Sequence, residues 1–223
     1  MIRLALIVIA ALVLTGTEAQ ANYAVVGDSL SSEPGNWFDL VFPGEINEAI
    51  GGQSTHDFLA ICDNFPSTCW ANSGDADTVW FILIGHNDPW KSVALGLPLT
   101  GYDDRVEDMV TLVNSKTGAT DFRLVTSPYS HDAFGNDRSA QRAWQDDMAL
   151  MDQDLCASDP LVTCVLDLRP VLLWPDHYIW DGVHLNEAGN DEVALLVPEP
   201  SAGLSLLAGL LGLGILRKKR ALR

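Results

Sequence analysis

The sequence predicts an α/β fold in which helices cover both faces of a parallel sheet. Short apolar runs with strand character alternate along the chain with amphipathic stretches, which is typical of such sheets. Residues 78–84 (TVWFILI) are apolar after the first position, as expected of a strand buried on both faces. Residues 23–26 lead directly into a Gly-Asp-Ser turn, at a strand end where open parallel sheets bind their ligands.

The individual elements follow from the spacing of apolar residues. The predicted strands are residues 23–26, 78–84, 122–126 and 161–168. The predicted helices are residues 103–114, 139–155 and 186–196. Ser139 and Asn186 stand at the starts of the last two helices, and both residue types are favoured as helix N-caps.

The first 21 residues have the layout of a secretory signal peptide. A single early cation, Arg3, precedes an apolar run over residues 4–14, and Ala19-Gln20-Ala21 matches an A-x-A cleavage site. The apolar run is shorter than the ~20 residues needed to span a bilayer, so cleavage is the favoured interpretation. An uncleaved membrane anchor is the alternative.

The C-terminal residues 197–223 form a tail of three parts. Val197-Pro198-Glu199-Pro200 precedes an apolar segment, 202–216, and a basic cluster closes the chain (Arg217, Lys218, Lys219, Arg220 and Arg223). An apolar segment followed by cations is typical of a membrane stop with its positive end in the cytoplasm.

This tail resembles a PEP-CTERM sorting signal, which exosortases process in Gram-negative bacteria. The resemblance implies an exosortase-type sorting machinery as partner, with membrane attachment through the tail. The expected location is the cell envelope, outer surface or extracellular matrix. A plain C-terminal membrane anchor is the alternative.

Residues 22–196 are long enough for one domain with a sizeable core. They contain 7 of the 13 basic residues and 28 of the 30 acidic residues, which gives a net charge of −21. Phosphate backbones require a cationic surface, so nucleic acid is excluded as a partner. Strong self-repulsion also disfavours docking on anionic surfaces.

Four cysteines fall into two local pairs, Cys62 with Cys69 and Cys156 with Cys164. An even number at short spacings predicts disulfides in an exported protein. Three connectivities are possible, and the two local bridges are favoured. The spacings do not match CxxC and no nearby histidine completes a zinc set, so no metal site is predicted.

Two of the candidate reactive groups directly follow predicted strands. Gly27-Asp28-Ser29 can project the Ser29 hydroxyl outward from the end of the first strand, although such residues also form ordinary turns. Asn87 follows the strand at 78–84 and can offer its side-chain N–H to a developing oxyanion. Its alternative role is an Asx turn that closes the strand.

The third candidate is the pair Asp181 and His184, three residues apart before the last predicted helix. In a loop, the aspartate can fold back to hold Nδ1 of the imidazole while Nε2 faces a serine. The alternative is a helix-entry aspartate beside a surface histidine.

Taken together and in this order, the motifs resemble those of the GDSL/SGNH hydrolase family. Gly27-Asp28-Ser29-Leu30-Ser31 resembles its first block, Gly85-His86-Asn87-Asp88 its third, and Asp181-Gly182-Val183-His184 its last. The second block centres on a glycine, for which Gly52 is preferred and Gly51 is the alternative. The resemblance spans the domain and implies a three-layer α/β/α sandwich with a flavodoxin-like, five-stranded parallel sheet.

The resemblance also implies the role of each site residue. Ser29 would be the nucleophile, His184 the general base and Asp181 the residue that orients the base. The oxyanion hole would be formed by the N–H of Ser29, the N–H of Gly52 and the side chain of Asn87. This chemistry needs no metal and no organic cofactor.

The function expected is therefore an exported serine esterase or lipase acting on carboxylic esters. Short-acyl esters, lipid esters and O-acetyl groups on polysaccharide are the candidate substrates. The alternative is a catalytically silent surface or glycan-binding protein with the same fold. Near the site, Trp180 is expected to pack in the core. Trp174 and Tyr178 are candidate cleft walls, although core packing is the favoured interpretation for such aromatic residues. His86 is a candidate lining residue.

Overall fold

The structure is a computed structural model that describes residues 22–133 and 137–197. The expected signal peptide, and the expected sorting tail beyond Val197, lie outside the described residues. Within the two described ranges, no helix is both long and apolar enough to cross a membrane.

Five parallel strands form a single sheet in the order β2-β1-β3-β4-β5. The strands are β1 (Tyr23–Gly27), β2 (Ile46–Asn47), β3 (Val79–Leu83), β4 (Asp121–Thr126) and β5 (Val162–Asp167). The predicted α/β fold with a five-stranded parallel sheet is confirmed. Strand β2 has only two residues, too few to produce an alternating pattern, and its position was not predicted.

Seven α-helices are described on and around the sheet. They are α1 (Ser29–Ser32), α2 (Trp37–Val41), α3 (Thr55–Asn64), α4 (Asp88–Leu95), α5 (Tyr102–Thr117), α6 (Ser139–Ser158) and α7 (Glu187–Leu196). Helices α3, α5 and α6 pack on one face of the sheet, and α1, α2 and α7 pack on the other. The three predicted helices correspond to α5, α6 and α7.

Strand β3 shows why the sheet needs helices on both faces. Its side chains alternate, with Trp80 and Ile82 in the core under α3, α5 and α6, and Phe81 and Leu83 in the core under α1, α2 and α7. All five residues of the strand are buried. Each face of an apolar strand is stable only when it is covered, which produces the three-layer architecture.

The two predicted helix caps had different outcomes. Asn186 caps α7, since its side chain accepts a hydrogen bond from the Gly189 N–H at 2.9 Å. The Ser139 cap was wrong: Ser139 is inside α6, and its N–H donates to the Asp137 carboxylate at 2.8 Å. Asp137, two residues upstream, therefore provides the hydrogen-bond acceptor at the start of α6. The residue type at position 139 alone does not indicate this.

Two disulfides close short loops beneath the helices. Cys62 is bonded to Cys69, and Cys156 is bonded to Cys164. These are the two local pairs that the spacing favoured. The first ties the end of α3 to the turn that follows it, and the second ties the end of α6 to β5.

Candidate active site

Ser29 is the first residue of α1, directly after the turn that ends β1. The turn is tight: a Cβ on Gly27 would lie 2.6 Å from the carbonyl oxygen of Leu83 on the neighbouring strand, so only glycine fits. Ser29 is 9 % exposed, at the carboxyl edge of the sheet. The strand-to-helix turn therefore brings a serine hydroxyl to the edge where parallel sheets bind ligands.

Asp28, beside Ser29, is the N-cap of α1 and is fully buried. Its Oδ1 accepts a hydrogen bond from the Leu30 N–H at 3.0 Å, while Oδ2 has no hydrogen-bond partner among the described residues. Burial raises the pKa of Asp28 to about 7, because a carboxylate in an apolar environment loses its hydration. Asp28 therefore caps α1 at the cost of the hydration of its carboxylate.

Asp181 and His184 meet in the loop before α7. Nδ1 of His184 lies 2.5 Å from Oδ2 of Asp181. Oδ1 of Asp181 accepts hydrogen bonds from the N–H groups of Val183 and His184, at 2.9 and 3.0 Å. The carboxylate is therefore fixed on both oxygens, and the loop itself orients the imidazole.

The ionisation of Asp181 follows from these contacts. Partial burial acts to raise its pKa, but the hydrogen bonds from His184 and from the two backbone N–H groups outweigh it, so the pKa lies below its usual value of 3.8. The residue carries a negative charge at neutral pH. That charge favours a proton on Nδ1 and stabilises the imidazole when it becomes a cation.

His184 joins this pair to the serine. Its Nε2 lies 2.9 Å from Oγ of Ser29, across 155 positions of sequence. The structure thus brings together Ser29, His184 and Asp181 in one hydrogen-bonded line. This is the nucleophile, base and orienting acid arrangement that activates a hydroxyl for attack.

The second-block glycines form a turn beside the nucleophile. The Gln53 N–H donates to the Ile50 carbonyl at 3.3 Å, and Gly52 has φ of +75°, as the third residue of a type II turn requires. A Cβ on Gly51 would lie 3.8 Å from Cβ of Ser29, whereas one on Gly52 would meet nothing within 4 Å. The positive φ makes Gly52 the residue that allows this turn, the turn lies in van der Waals contact with Ser29, and the Gly52 N–H stays the predicted oxyanion donor.

Asn87 is the N-cap residue of α4, at the end of the loop that follows β3. Its Nδ2 donates to the carbonyl oxygen of Gln53 at 3.0 Å. A side-chain amide carries two N–H donors, so one holds the glycine turn and the second remains for a ligand. The predicted oxyanion donor thus also fixes the neighbouring donor loop.

A buried ion pair beneath this loop escaped sequence analysis. Asp88 accepts from the N–H and the hydroxyl of Thr55, at 3.0 and 2.5 Å. Arg105, on α5, lies 3.2 Å from the same carboxylate and donates to Thr55 Oγ1 at 2.6 Å. Asp88 and Thr55 are almost completely buried, so the glycine turn and the Asn87 loop share one rigid base.

Asn47 is another contributor that sequence analysis did not identify. It ends β2, and its Nδ2 donates to the carbonyl oxygen of Ser31 at 2.9 Å and to Asp39 at 3.1 Å. It therefore fixes the helix that carries Ser29. The available signal was an asparagine upstream of the second-block glycine. Strand β2, which contains Asn47, has only two residues and gave no pattern from which its position could be predicted.

The aromatic residues near the site differ in burial, and the expectation that Trp180 packs in the core is wrong. Tyr178 is 4 % exposed and packs in the core under α7, whereas Trp180 is 70 % exposed. Tyr178 pairs through its backbone with Leu185 in a short antiparallel bridge. Trp180 precedes Asp181 at the tip of the loop that the bridge closes. Trp174 is partly exposed and stacks on His131, with ring centroids 5.8 Å apart.

His86 does not line the site as a solvent-exposed residue. It is 2 % exposed and hydrogen-bonded on both ring nitrogens. As for metals, residues 22–133 and 137–197 contain no group of three or more His, Cys, Asp or Glu residues placed to hold an ion.

Comparison with known proteins gives matches at the level of structure. No family model matches the chain, and no curated protein sequence matches it. A lipolytic protein of the G-D-S-L family from Veillonella parvula has a TM-score of 0.59 at 16 % identity, over 78 % of this chain and 94 % of that one. An acetylxylan esterase from Geobacillus stearothermophilus has a TM-score of 0.55 at 19 % identity, over 79 % and 92 %.

An α/β hydrolase from the metagenome of Lake Arreo in Spain is similar to the same extent, with a TM-score of 0.57 at 19 % identity over 79 % of this chain and 92 % of that one. These likenesses establish a shared fold over nearly the whole of each neighbour. The three-layer architecture is therefore that of GDSL/SGNH hydrolase structures.

Proposed function

We propose that this protein is a serine hydrolase that cleaves carboxylic esters through an acyl-enzyme. The observation that carries the proposal is the hydrogen-bonded line from Asp181 to His184 to Ser29, with distances of 2.5 and 2.9 Å. The line stands at the carboxyl edge of a parallel sheet, beside two loops that supply candidate oxyanion donors.

In the acylation step, Nε2 of His184 takes the proton of the Ser29 hydroxyl as Oγ attacks the ester carbonyl. The ionised Asp181 stabilises the resulting imidazolium and keeps its Nδ1–H aligned. The imidazolium then returns its proton to the leaving alcohol, and the acyl group stays on Ser29.

The negative charge on the carbonyl oxygen is stabilised by three N–H donors. These are the N–H of Ser29, the N–H of Gly52 and the second amide hydrogen of Asn87. The Ser29 N–H belongs to the first turn of α1, where N–H groups have no partner within the helix. Such preorganised donors each contribute about 10²–10³ in rate. Deacylation repeats the sequence with water, activated by His184, in place of the serine hydroxyl.

For the substrate, we propose short-acyl esters, and acetyl groups carried on polysaccharide in particular. The net charge of −21 over residues 22–196 opposes docking on anionic lipid. One of the structural neighbours is an acetylxylan esterase, which agrees with this substrate class.

We also propose that the protein is exported, and that its tail directs sorting to the cell surface or matrix. The support is the leader over residues 1–21 and the Pro-Glu-Pro, apolar and basic segments over 197–223. Mass spectrometry of the mature protein tests both points. A mature form that starts near Asn22 and ends before the basic cluster is expected, and an intact chain in the cytoplasmic fraction would refute export.

The test of activity is hydrolysis of p-nitrophenyl acetate, butyrate and octanoate, and of acetylated xylan, by the purified protein. We expect the acetate to be cleaved fastest and the Ser29→Ala variant to lose about 10⁴–10⁶ in kcat. A fluorophosphonate should label Ser29 in the wild type only. Ser115→Ala, at an exposed position on α5, is the matched control and should retain full activity.

A wild type that neither hydrolyses these substrates nor reacts with the fluorophosphonate would refute the proposal. Binding of acetylated xylan by that inactive protein would then establish the alternative, a glycan-binding protein with the hydrolase fold.

A further inference from the structure

We infer that His86 is a positioning residue: as a neutral hydrogen-bond donor it joins the loop that carries Asn87 to the loop that carries Asp181 and His184. The inference rests on the proposed ester hydrolysis for its kinetic consequence. Its structural basis is a closed network of four buried polar side chains. They are His86, Ser127, Ser130 and Gln145, and none is more than 2 % exposed.

The orientation of Gln145 is determined by the backbone. Its Oε1 accepts a hydrogen bond from the Ser130 N–H at 3.0 Å, and a backbone N–H can only donate. The other end of the amide is therefore the NH₂ group. That group lies 3.1 Å from Nδ1 of His86 and 3.3 Å from Oγ of Ser130.

The Gln145 orientation in turn determines the tautomer of His86. Because Gln145 donates to Nδ1, that nitrogen must be unprotonated, and the ring proton is on Nε2. Nε2 lies 3.1 Å from Oγ of Ser130, so His86 donates to the serine. Ser127 Oγ lies 3.0 Å from Nδ1, and its hydroxyl donates to the Pro128 carbonyl oxygen at 3.4 Å. In this arrangement both ring nitrogens of a neutral imidazole have a partner.

The electrostatics of the site agree with this assignment. Burial, with smaller contributions from the charges of His184 and Arg138, lowers the pKa of His86 to about 4, although the charge of Asp181 opposes the shift. The ring stays neutral at the pH values where a serine hydrolase works. His86 therefore does not exchange protons with the substrate, and its contribution is geometric.

The network is linked to the loop that carries Asp181 and His184 (the acid–base loop) through the peptide bond between Ser130 and His131. Ser130 is followed by His131, whose N–H donates to the carbonyl oxygen of Gly182 at 2.8 Å. Gly182 directly follows Asp181 and has φ of +69°. A Cβ there would lie 2.4 Å from the His131 carbonyl oxygen, so the two segments are in close contact. A shift of Ser130 would be transmitted to the Asp181 loop.

His86 also contacts the oxyanion side of the site, through its own backbone. His86 immediately precedes Asn87, and its carbonyl oxygen accepts from Nε2 of Gln141 on α6 at 3.2 Å. Trp144, one turn further along α6, donates to the Gly85 carbonyl at 3.3 Å. The His86 ring thus fixes the spacing between the oxyanion donor and the base.

Two conservative substitutions separate the two ring nitrogens. In His86→Gln the side-chain amide nitrogen reaches the position of Nε2 and still donates to Ser130. In His86→Asn the shorter amide reaches only the position of Nδ1, so it accepts from Gln145 but leaves Ser130 without its donor. The two variants bury similar polar groups, and they differ in the bond that the inference makes important.

We expect kcat of His86→Asn to fall about 10–100-fold with KM unchanged, because a displacement of 1 Å can cost on the order of 10² in rate. His86→Gln should stay within about threefold of the wild type. Thr78→Val is the stability control: it removes the buried Thr78 hydrogen bonds to Asp75 at the far end of β3. It should lower Tm and leave kcat unchanged.

A proton NMR spectrum provides a measurement that does not depend on turnover. A short Asp–His hydrogen bond moves the Nδ1–H resonance of the histidine far downfield. We expect the His184 resonance in the wild type and in His86→Gln, and its loss or a clear upfield shift in His86→Asn.

Each outcome is decisive. Loss of the resonance together with lower kcat in His86→Asn alone supports the inference. Unchanged resonance and kcat in His86→Asn, or equal effects in the Asn and Gln variants, would overturn it. If the wild type shows the resonance but hydrolyses no ester, the proposed function fails, and the resonance in the two variants still decides the role of His86.

Discussion

The two halves of the site are built in different ways. The oxyanion half rests on a buried ion pair, Asp88 with Arg105, whose side chains are 1 % and 10 % exposed. The acid–base half is a loop whose main side chains, Asp181 and His184, are 21 % and 34 % exposed. One half is fixed by the folding of three helices around it, and the other by short-range hydrogen bonds within the loop.

This difference separates the consequences of substitution. Changes under the oxyanion half remove partners from buried charges and should act mainly on stability. Changes in the acid–base loop remove contacts that are partly solvated and should act mainly on the rate. Three experiments test this separation, in addition to those given above.

The largest effect is expected in the acid–base loop, for Asp181→Asn. The amide still accepts from the Val183 and His184 N–H groups, but it no longer favours the correct tautomer of His184. We expect kcat to fall about 10⁴-fold and the free energy of unfolding to change by less than about 0.5 kcal/mol. Esterase assays and thermal melts measure the two effects.

Asp176→Asn, an exposed aspartate in the segment before this loop, is the matched control and should change neither quantity. A large loss of stability in Asp181→Asn would show that the loop depends on its charge for folding, and would break the comparison.

The next effect is expected under the oxyanion half, for Arg105→Met. The change leaves the buried Asp88 carboxylate with only its Thr55 contacts, so we expect a loss of about 3–5 kcal/mol in the free energy of unfolding. Arg123→Met is the matched control, because Arg123 pairs with a half-exposed Asp121 at 2.9 Å. It should cost less than about 1 kcal/mol. Urea melts of the two variants provide the measurement, and equal losses would contradict a rigid buried base.

The smallest effect concerns Asp28, whose pKa is influenced by both halves. Asp88 acts to raise that pKa and His184 acts to lower it, although burial dominates. Since the folded pKa is about 7 and the ordinary value is 3.8, the unfolded state releases its proton first as pH rises. The contribution of Asp28 to stability is therefore highest below pH 3.8, falls as pH rises to about 7 and is constant above it.

Asp28→Asn keeps the N-cap and removes this titration. We expect the variant to gain stability over the wild type as pH rises from 4 to 7, by up to roughly 4 kcal/mol, with no further gain at pH 8. Thermal melts at pH 4, 5.5, 7 and 8 measure the difference. A difference that does not vary with pH would show that Asp28 is ionised throughout and has an unrecognised partner.

Local sequence patterns predicted the helices and strands more fully than they predicted the contacts between them. The apolar run that became β3 and the Asn186 cap of α7 could be recognised because each depends on residues close in sequence. The Asp88–Arg105 pair could not, since a charge pattern on α5 shows which residues are polar but not which carboxylate they face. Strand β2 was missed for a related reason: two residues cannot show a period.

The site was predictable where chemistry restricts residue type, and less so elsewhere. Ser29, Asp181 and His184 belong to motifs, and the structure brings them together. Burial near the site was assigned incorrectly for Trp180, because the residue type alone does not show which aromatic side chain of a loop packs in the core. His86 was a candidate lining residue because it stands beside Asn87, but its hydrogen-bond partners could not be predicted, since Gln145 and Ser130 come from distant parts of the chain.

The 155 positions between Ser29 and His184 have a consequence for the life of the chain before it is complete. Ser29 begins α1, directly after β1, and His184 belongs to the loop that precedes α7. The N–H of Trp37 in α2 also donates to Asn190 of α7 at 3.0 Å, so these two helices dock together. A nascent chain that ends before residue 184 therefore has a serine without its histidine partner. Such a chain cannot form the hydrogen-bonded line from Asp181 to His184 to Ser29 until synthesis has passed this loop.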